Sequence, residues 1–162
     1  MPTKTSEKDW VNEIGKPAYE SVKEMVQRLR HCRECDGERC TLTAQQIFAG
    51  INIYAPKRRK ATEEEIVQYH NAEEAAQAIL DDPLSMQVRS DWHAPGEEAP
   101  NGEFELLLGT GGPAVRIVGD LDNNEPSNAR LEVQNWSKPW MEYHWTDKEV
   151  LLDYCRCFYF GD

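Results

Sequence analysis

Apolar residues recur along this chain with two different periods, and the change between them divides it. In the first half they fall three and four residues apart. Tyr19, Val22, Met25, Val26 and Leu29, with Cys32 next in line, form the stripe of an amphipathic helix. Ahead of it, Asp9 caps a short turn through Trp10 and Ile14. Gly15 is expected to break that turn, Pro17 suits the first turn of a new helix, and Asp36-Gly37 stops it. Three further helix starts follow. Thr43 with Gln46 reads as a capping box before Ile47, Phe48 and Ile51, and Thr62 with Glu65 as another before Ile66, Val67 and Tyr69. Asn71 with Glu74 opens a last helix through Ile79 and Leu80, which Asp81-Asp82-Pro83 ends.

Beyond that point the period is two. Leu84, Met86 and Val88 alternate with polar neighbours, as in a half-buried strand, and so do Phe104, Leu106 and Leu108. A third strand buries either Val115 and Ile117 or Ala114 and Val118, and Leu131 and Val133 mark a fourth. Turns rich in Gly, Asn, Asp and Pro at 109–113 and 122–126 are short enough to join only antiparallel neighbours. Helical spacing then returns in Val150, Leu151, Tyr154, Cys155 and Phe158, opened by a capping box at Thr146 and Glu149 with Trp145 and Val150 as its hydrophobic staple. The pattern predicts one α+β domain with a helical N-terminal half, a four-stranded antiparallel sheet and a C-terminal helix packed on it. Residues 1–9 are expected to be a flexible tail and 10–162 a single domain, helical over 10–82, with sheet and closing helix over 83–162.

Composition narrows the class. The chain has 162 residues, 40% hydrophobic and 29% charged, with five tryptophans and six tyrosines, which suits one folded domain and not a disordered chain. No apolar run approaches the ~20 residues of a membrane helix, and the polar start lacks a signal-peptide core. A cytoplasmic location, in a host bacterial cell, is the expectation. The net charge of −11 is lopsided. Residues 1–80 hold 12 basic and 13 acidic side chains, whereas residues 81–162 hold 6 and 16. Such a balance disfavours direct nucleic-acid binding. The one basic run, Lys57 to Lys60, is followed at once by Glu63-Glu64-Glu65 and reads as a solvated loop.

Candidate chemistry is sparse. His31-Cys32 with Cys35 and Cys40 gives C-x2-C-x4-C beside a histidine, and an odd total of five cysteines argues against a disulfide framework. A structural zinc on Cys32, Cys35 and Cys40, completed by Cys155 or Cys157, is one reading. The other, adopted here, is that Cys32 and Cys155 lie on apolar helix faces as core thiols and that no cofactor is bound. The glycines at 109–112 lack the lysine and the following helix of a phosphate loop and are read as a turn. No catalytic residues are assigned. The polar strand face (Gln87, Arg89, Glu105, Arg116, Glu132, Gln134) reads as a solvated surface that could also recognise a partner. Trp92, Trp136, Trp140, Tyr143 and Trp145 either plug the end of the sheet or anchor that partner.

The segments Pro83 to Trp92, Gly111 to Gly119, Leu131 to Trp136 and Phe158-Tyr159-Phe160-Gly161 resemble a group of small proteins carried by bacteriophages, prophages and mobile elements, over about residues 80–162. The resemblance implies a phage accessory protein that binds a bacterial host protein, of the anti-CRISPR or anti-restriction kind. On that reading an acidic, nucleic-acid-like surface would occupy the basic channel of a defence complex. The partner-binding residues would be Arg89, Trp92, Glu97, Glu98, Arg116, Asp120, Asp122, Trp136 and Trp140. Two alternatives stand beside it: a zinc-dependent nucleic-acid-binding or regulatory module, and an enzyme acting on a nucleotide-type ligand in a deep pocket around Arg89 and Arg116.

Overall fold

The structure, a computed structural model, describes residues 7–35, 40–51, 59–110 and 112–161. Its helices are α1 (Glu7–Glu34), α2 (Ala44–Ile51), α3 (Glu63–Tyr69), α4 (Ala72–Asp81) and α5 (Lys148–Cys155). Its strands are β1 (Ser85–Ser90), β2 (Asn101–Gly109), β3 (Pro113–Asp122), β4 (Glu125–Pro126), β5 (Arg130–Asn135) and β6 (Met141–Tyr143). The antiparallel sheet runs β1-β2-β3-β5-β6, with β4 paired on β3. The α+β class and the order of helices, sheet and closing helix match the sequence pattern. The expected four strands are corrected to six. β4 is the return arm of the turn at Asn123 and Asn124, whose φ values of 50° and 65° suit the left-handed hairpin turn. β6 is too short to show a period.

α1 is one helix and not two. It starts at Glu7, so residues 7–9 are helical, while residues 1–6 of the expected tail lie outside the described residues, as does the Asp36-Gly37 stop. Pro17 sits inside it. Gly15 marks a close approach: a Cβ there would lie 2.5 Å from Cγ of Tyr143, so the glycine lets the helix rest on β6.

The core lies between α1, α4 and α5 on one side and the inner sheet face on the other. Val22, Met25, Val26 and Leu29 of the predicted stripe meet Ile79, Leu106, Ile117, Leu131, Val133, Leu151 and Tyr154, all buried. On β3 the inward pair is Val115 and Ile117. The capping boxes at Thr43/Gln46 and Thr62/Glu65 form, as does the Asn71 cap. The one expected at Thr146 does not. Asp147 caps α5 instead, taking a hydrogen bond from the Glu149 amide at 3.0 Å. Thr146 Oγ1 is buried without a hydrogen-bond partner, and Trp145 is exposed and makes no staple.

Candidate metal centre

Two short helices stand apart from that core. α2 and α3 pack on each other and bury Ile47, Phe48 and Tyr69, none of which belongs to the main apolar cluster. What links this corner to the rest is a polar junction where the end of α1, the segment before α2 and the end of α3 meet.

Four donor side chains converge there. His31 lies in the last turn of α1, and Cys35 follows one residue past its end, its amide donating to the His31 carbonyl at 2.8 Å. Cys40 precedes α2, and His70 caps the C-terminus of α3. One ligand atom from each of His31, Cys35, Cys40 and His70 lies within 4.8 Å of the other three. The two imidazole Nε2 atoms are 3.1 Å apart, and Cys40 Sγ lies 3.4 Å from Nε2 of His31. A tetrahedral zinc with its usual N and S bond lengths separates its ligand atoms by about 3.3 Å (N to N) and about 3.5 Å (N to S). The donors fit that frame without large movement. The charges fit as well, because two thiolates and two neutral imidazoles cancel a divalent cation in a partly buried site.

The surroundings point the donors inward. His70 Nδ1 lies 2.7 Å from the Ile66 carbonyl oxygen, which accepts its proton and leaves Nε2 free to coordinate. The Leu42 amide donates to Cys40 Sγ at 3.4 Å, a bond that stabilises a ligating thiolate. Burial, and next the neighbouring His70, hold the His31 imidazole below its ordinary pKa, favouring the neutral form that a metal requires. Behind His70, the buried Arg28 donates from Nε to the Tyr69 carbonyl at 3.2 Å and from its terminal nitrogen to the Gln68 carbonyl at 2.9 Å. Tyr69 packs under the guanidinium, and burial pushes its phenol up to about 12.

Cys32 is outside the donor group. It donates its S–H to the Tyr69 carbonyl at 2.8 Å, and burial raises its pKa. In a helix, positions 32 and 35 lie on one face but need not share a target, and here only Cys35 turns into the junction. Cys155 is buried in the main core and Cys157 donates to the Asp153 carbonyl, so neither completes a set with the other cysteines. Of the cysteines the sequence pattern singles out, Cys35 and Cys40 join this donor group and Cys32 does not, while His31 enters as the histidine beside the motif and His70 is not named by the pattern at all. The adjacent histidine was the available signal for His31, whereas His70, 39 positions on, is brought in only by the packing of α3.

The expected partner-binding residues divide into three groups. Arg116 is held within the sheet: it donates to Glu105 at 2.8 Å and to Glu132 at 2.9 Å, and its guanidinium stacks 4.1 Å above the Trp140 ring. Arg130 adds a bond to the other oxygen of Glu132 at 2.9 Å. This chain of alternating charges occupies the middle of the outer sheet face, where the accompanying cleft is about 270 Å³. At the sheet's end, Arg89, Trp92 and Asp120 line a second cleft of about 950 Å³ together with Asp91 and Glu103, and Arg89 pairs with Glu103. Glu97, Glu98, Asp122 and Trp136 are exposed and line neither cleft. Of the aromatics expected to plug the sheet, only Tyr143 is buried; Trp140 is half-buried, and Trp92, Trp136 and Trp145 face solvent. In the basic run, Lys57 and Arg58 lie outside the described residues, and Arg59 is paired with Glu65. Among the described residues no helix is long and apolar enough to cross a membrane. Comparison of the chain with protein-family profiles, with curated proteins and with solved structures found no match.

Proposed function

We propose that this protein is a zinc-stabilised, non-enzymatic binding module, its ion held by His31, Cys35, Cys40 and His70. The observation that carries this reading is the convergence of four donors from three separate segments to within 4.8 Å of one another. A structural role is favoured over a catalytic one because four protein ligands fill the coordination shell and leave no position for water or substrate. The ion would anchor α2 and α3 to the end of α1, where buried apolar contact is thin.

The test is metal content by mass spectrometry on protein purified without chelator. One zinc per chain is expected, retained by Cys32→Ala and lost by Cys35→Ser and His70→Ala. Equal loss from Cys32→Ala would restore the C-x2-C set, and a metal-free wild-type protein would remove the reading.

A second observation bears on the partner. The cleft at the sheet's end presents the fully exposed Trp92 beside Asp91, Glu103 and Asp120, with its one arginine neutralised. Aromatic area within an acidic rim suits a protein with a basic surface better than a nucleic acid. A bacterial defence protein of that charge is the class the resemblance implies. Trp92→Ala with Asp120→Lys should cut its capture from bacterial lysate at least tenfold at low salt while leaving the fold unchanged. Capture that is indifferent to both the substitutions and the salt would sink this assignment.

A further inference from the structure

β1 is an edge strand whose inner face, among the described residues, is left open to solvent. Its alternation predicts half burial, yet all six residues are exposed, with Met86 at 47% and Val88 at 43%. Their cross-strand partners on β2, Leu106 and Phe104, are at 0% and 2%. The difference lies in the helical layer. α1 packs across β3, β5 and β6, and the C-terminal segment covers β2, Phe160 stacking 4.8 Å from Phe104. Neither reaches β1. With Leu84 at 61% and Leu80 at 41%, an apolar ledge runs along an edge that has no further strand paired to it among the described residues.

Edge strands are ordinarily protected by shortness, proline, lysine or a central bulge. The opposite edge follows that rule, because β6 has three residues and comes just after Pro139. β1 does not: Ser85 to Ser90 holds neither proline nor lysine, and its single irregularity falls at its end, between Arg89 and Ser90.

The strand is also complementary to itself. Pairing two copies antiparallel about a two-fold axis at Gln87 sets Gln87 opposite Gln87 of the second copy. Met86 then faces Val88 of the second copy on the inner face, and Arg89 faces Ser85 of the second copy on the outer one. Apolar meets apolar, amide meets amide, and the strand's only charge meets a hydroxyl. A slip by one residue would set apolar against polar side chains throughout. We infer that β1 is a homodimerisation edge, and that its occupant is β1 of a second copy of this chain, extending the two sheets into one.

Analytical ultracentrifugation of the full chain tests this, in about 0.5 M salt to screen repulsion between two acidic molecules. The wild type should sediment at twice the chain mass. Gln87→Lys, which sets two lysines directly opposite each other at an exposed position, should sediment as a monomer with an unchanged far-ultraviolet spectrum. A wild type that is monomeric up to about 100 µM, well above the range of specific dimers, would overturn the inference. So would a Gln87→Lys protein that still dimerises.

Discussion

Chelating the proposed zinc is expected to release α2 and α3 while α1, the sheet and α5 stay folded. The two helices have 8 and 7 residues, below the length at which a helix holds in water without tertiary support. Their buried residues, Ile47, Phe48 and Tyr69, lie outside the cluster that binds the rest together. Metal bound only by the folded corner stabilises it by about 4 kcal/mol when free zinc exceeds the dissociation constant a thousandfold. Withdrawing it should therefore bring the corner close to its own unfolding threshold. Amide hydrogen exchange reads this directly. Protection at Ile47, Phe48 and Tyr69 should fall by orders of magnitude on chelation, and protection at Leu106, Ile117 and Leu131 should hardly change. Uniform loss would mean that the corner and the core form one cooperative unit, and no loss would mean that zinc is not what secures α3.

The same division explains what the sequence made legible. Local chemistry read well. The capping pairs Thr43/Gln46 and Thr62/Glu65 and the stripe from Tyr19 to Leu29 are fixed by spacing alone, and the structure contains them. Features set by distant packing did not. Gly15 resembles a helix breaker until the ring of Tyr143 is found against it. Met86 and Val88 alternate as a half-buried strand should, but nothing in the pattern tells how far the helical layer reaches. Thr146 has the spacing of a cap, yet Asp147 takes the position and leaves the threonine hydroxyl buried without a partner. The candidate metal donors follow the same logic. Cys35 and Cys40 belong to one local motif, while His70 joins them only after α3 has packed.

Arg28 is where the core and the candidate metal centre are coupled, and Arg28→Ala should be damaging to both. The side chain leaves α1 among core residues and ends on the carbonyls of Gln68 and Tyr69, the last turn of α3. A guanidinium offers planar, spaced donors that meet two carbonyls at once, and its charge opposes the negative end of the helix dipole. The Glu74 carboxylate, 3.9 Å away and largely solvated, contributes little. Alanine would remove the side-chain donor from both carbonyls, though Tyr69 keeps its bond from Cys32 and Gln68 its bond from the Asn71 amide, and would open a void against the Tyr69 ring. Together these should cost about 2–4 kcal/mol, read as a fall in the urea midpoint. The same bonds fix the backbone immediately before His70, so zinc affinity should drop about 10- to 100-fold, as for other residues that orient a ligand. Arg28→Lys separates the two effects. It keeps the charge near the helix end but cannot span both carbonyls, so stability should recover in part while zinc affinity stays low. Should lysine restore affinity fully, charge alone would suffice and the fork would have no part in aiming His70.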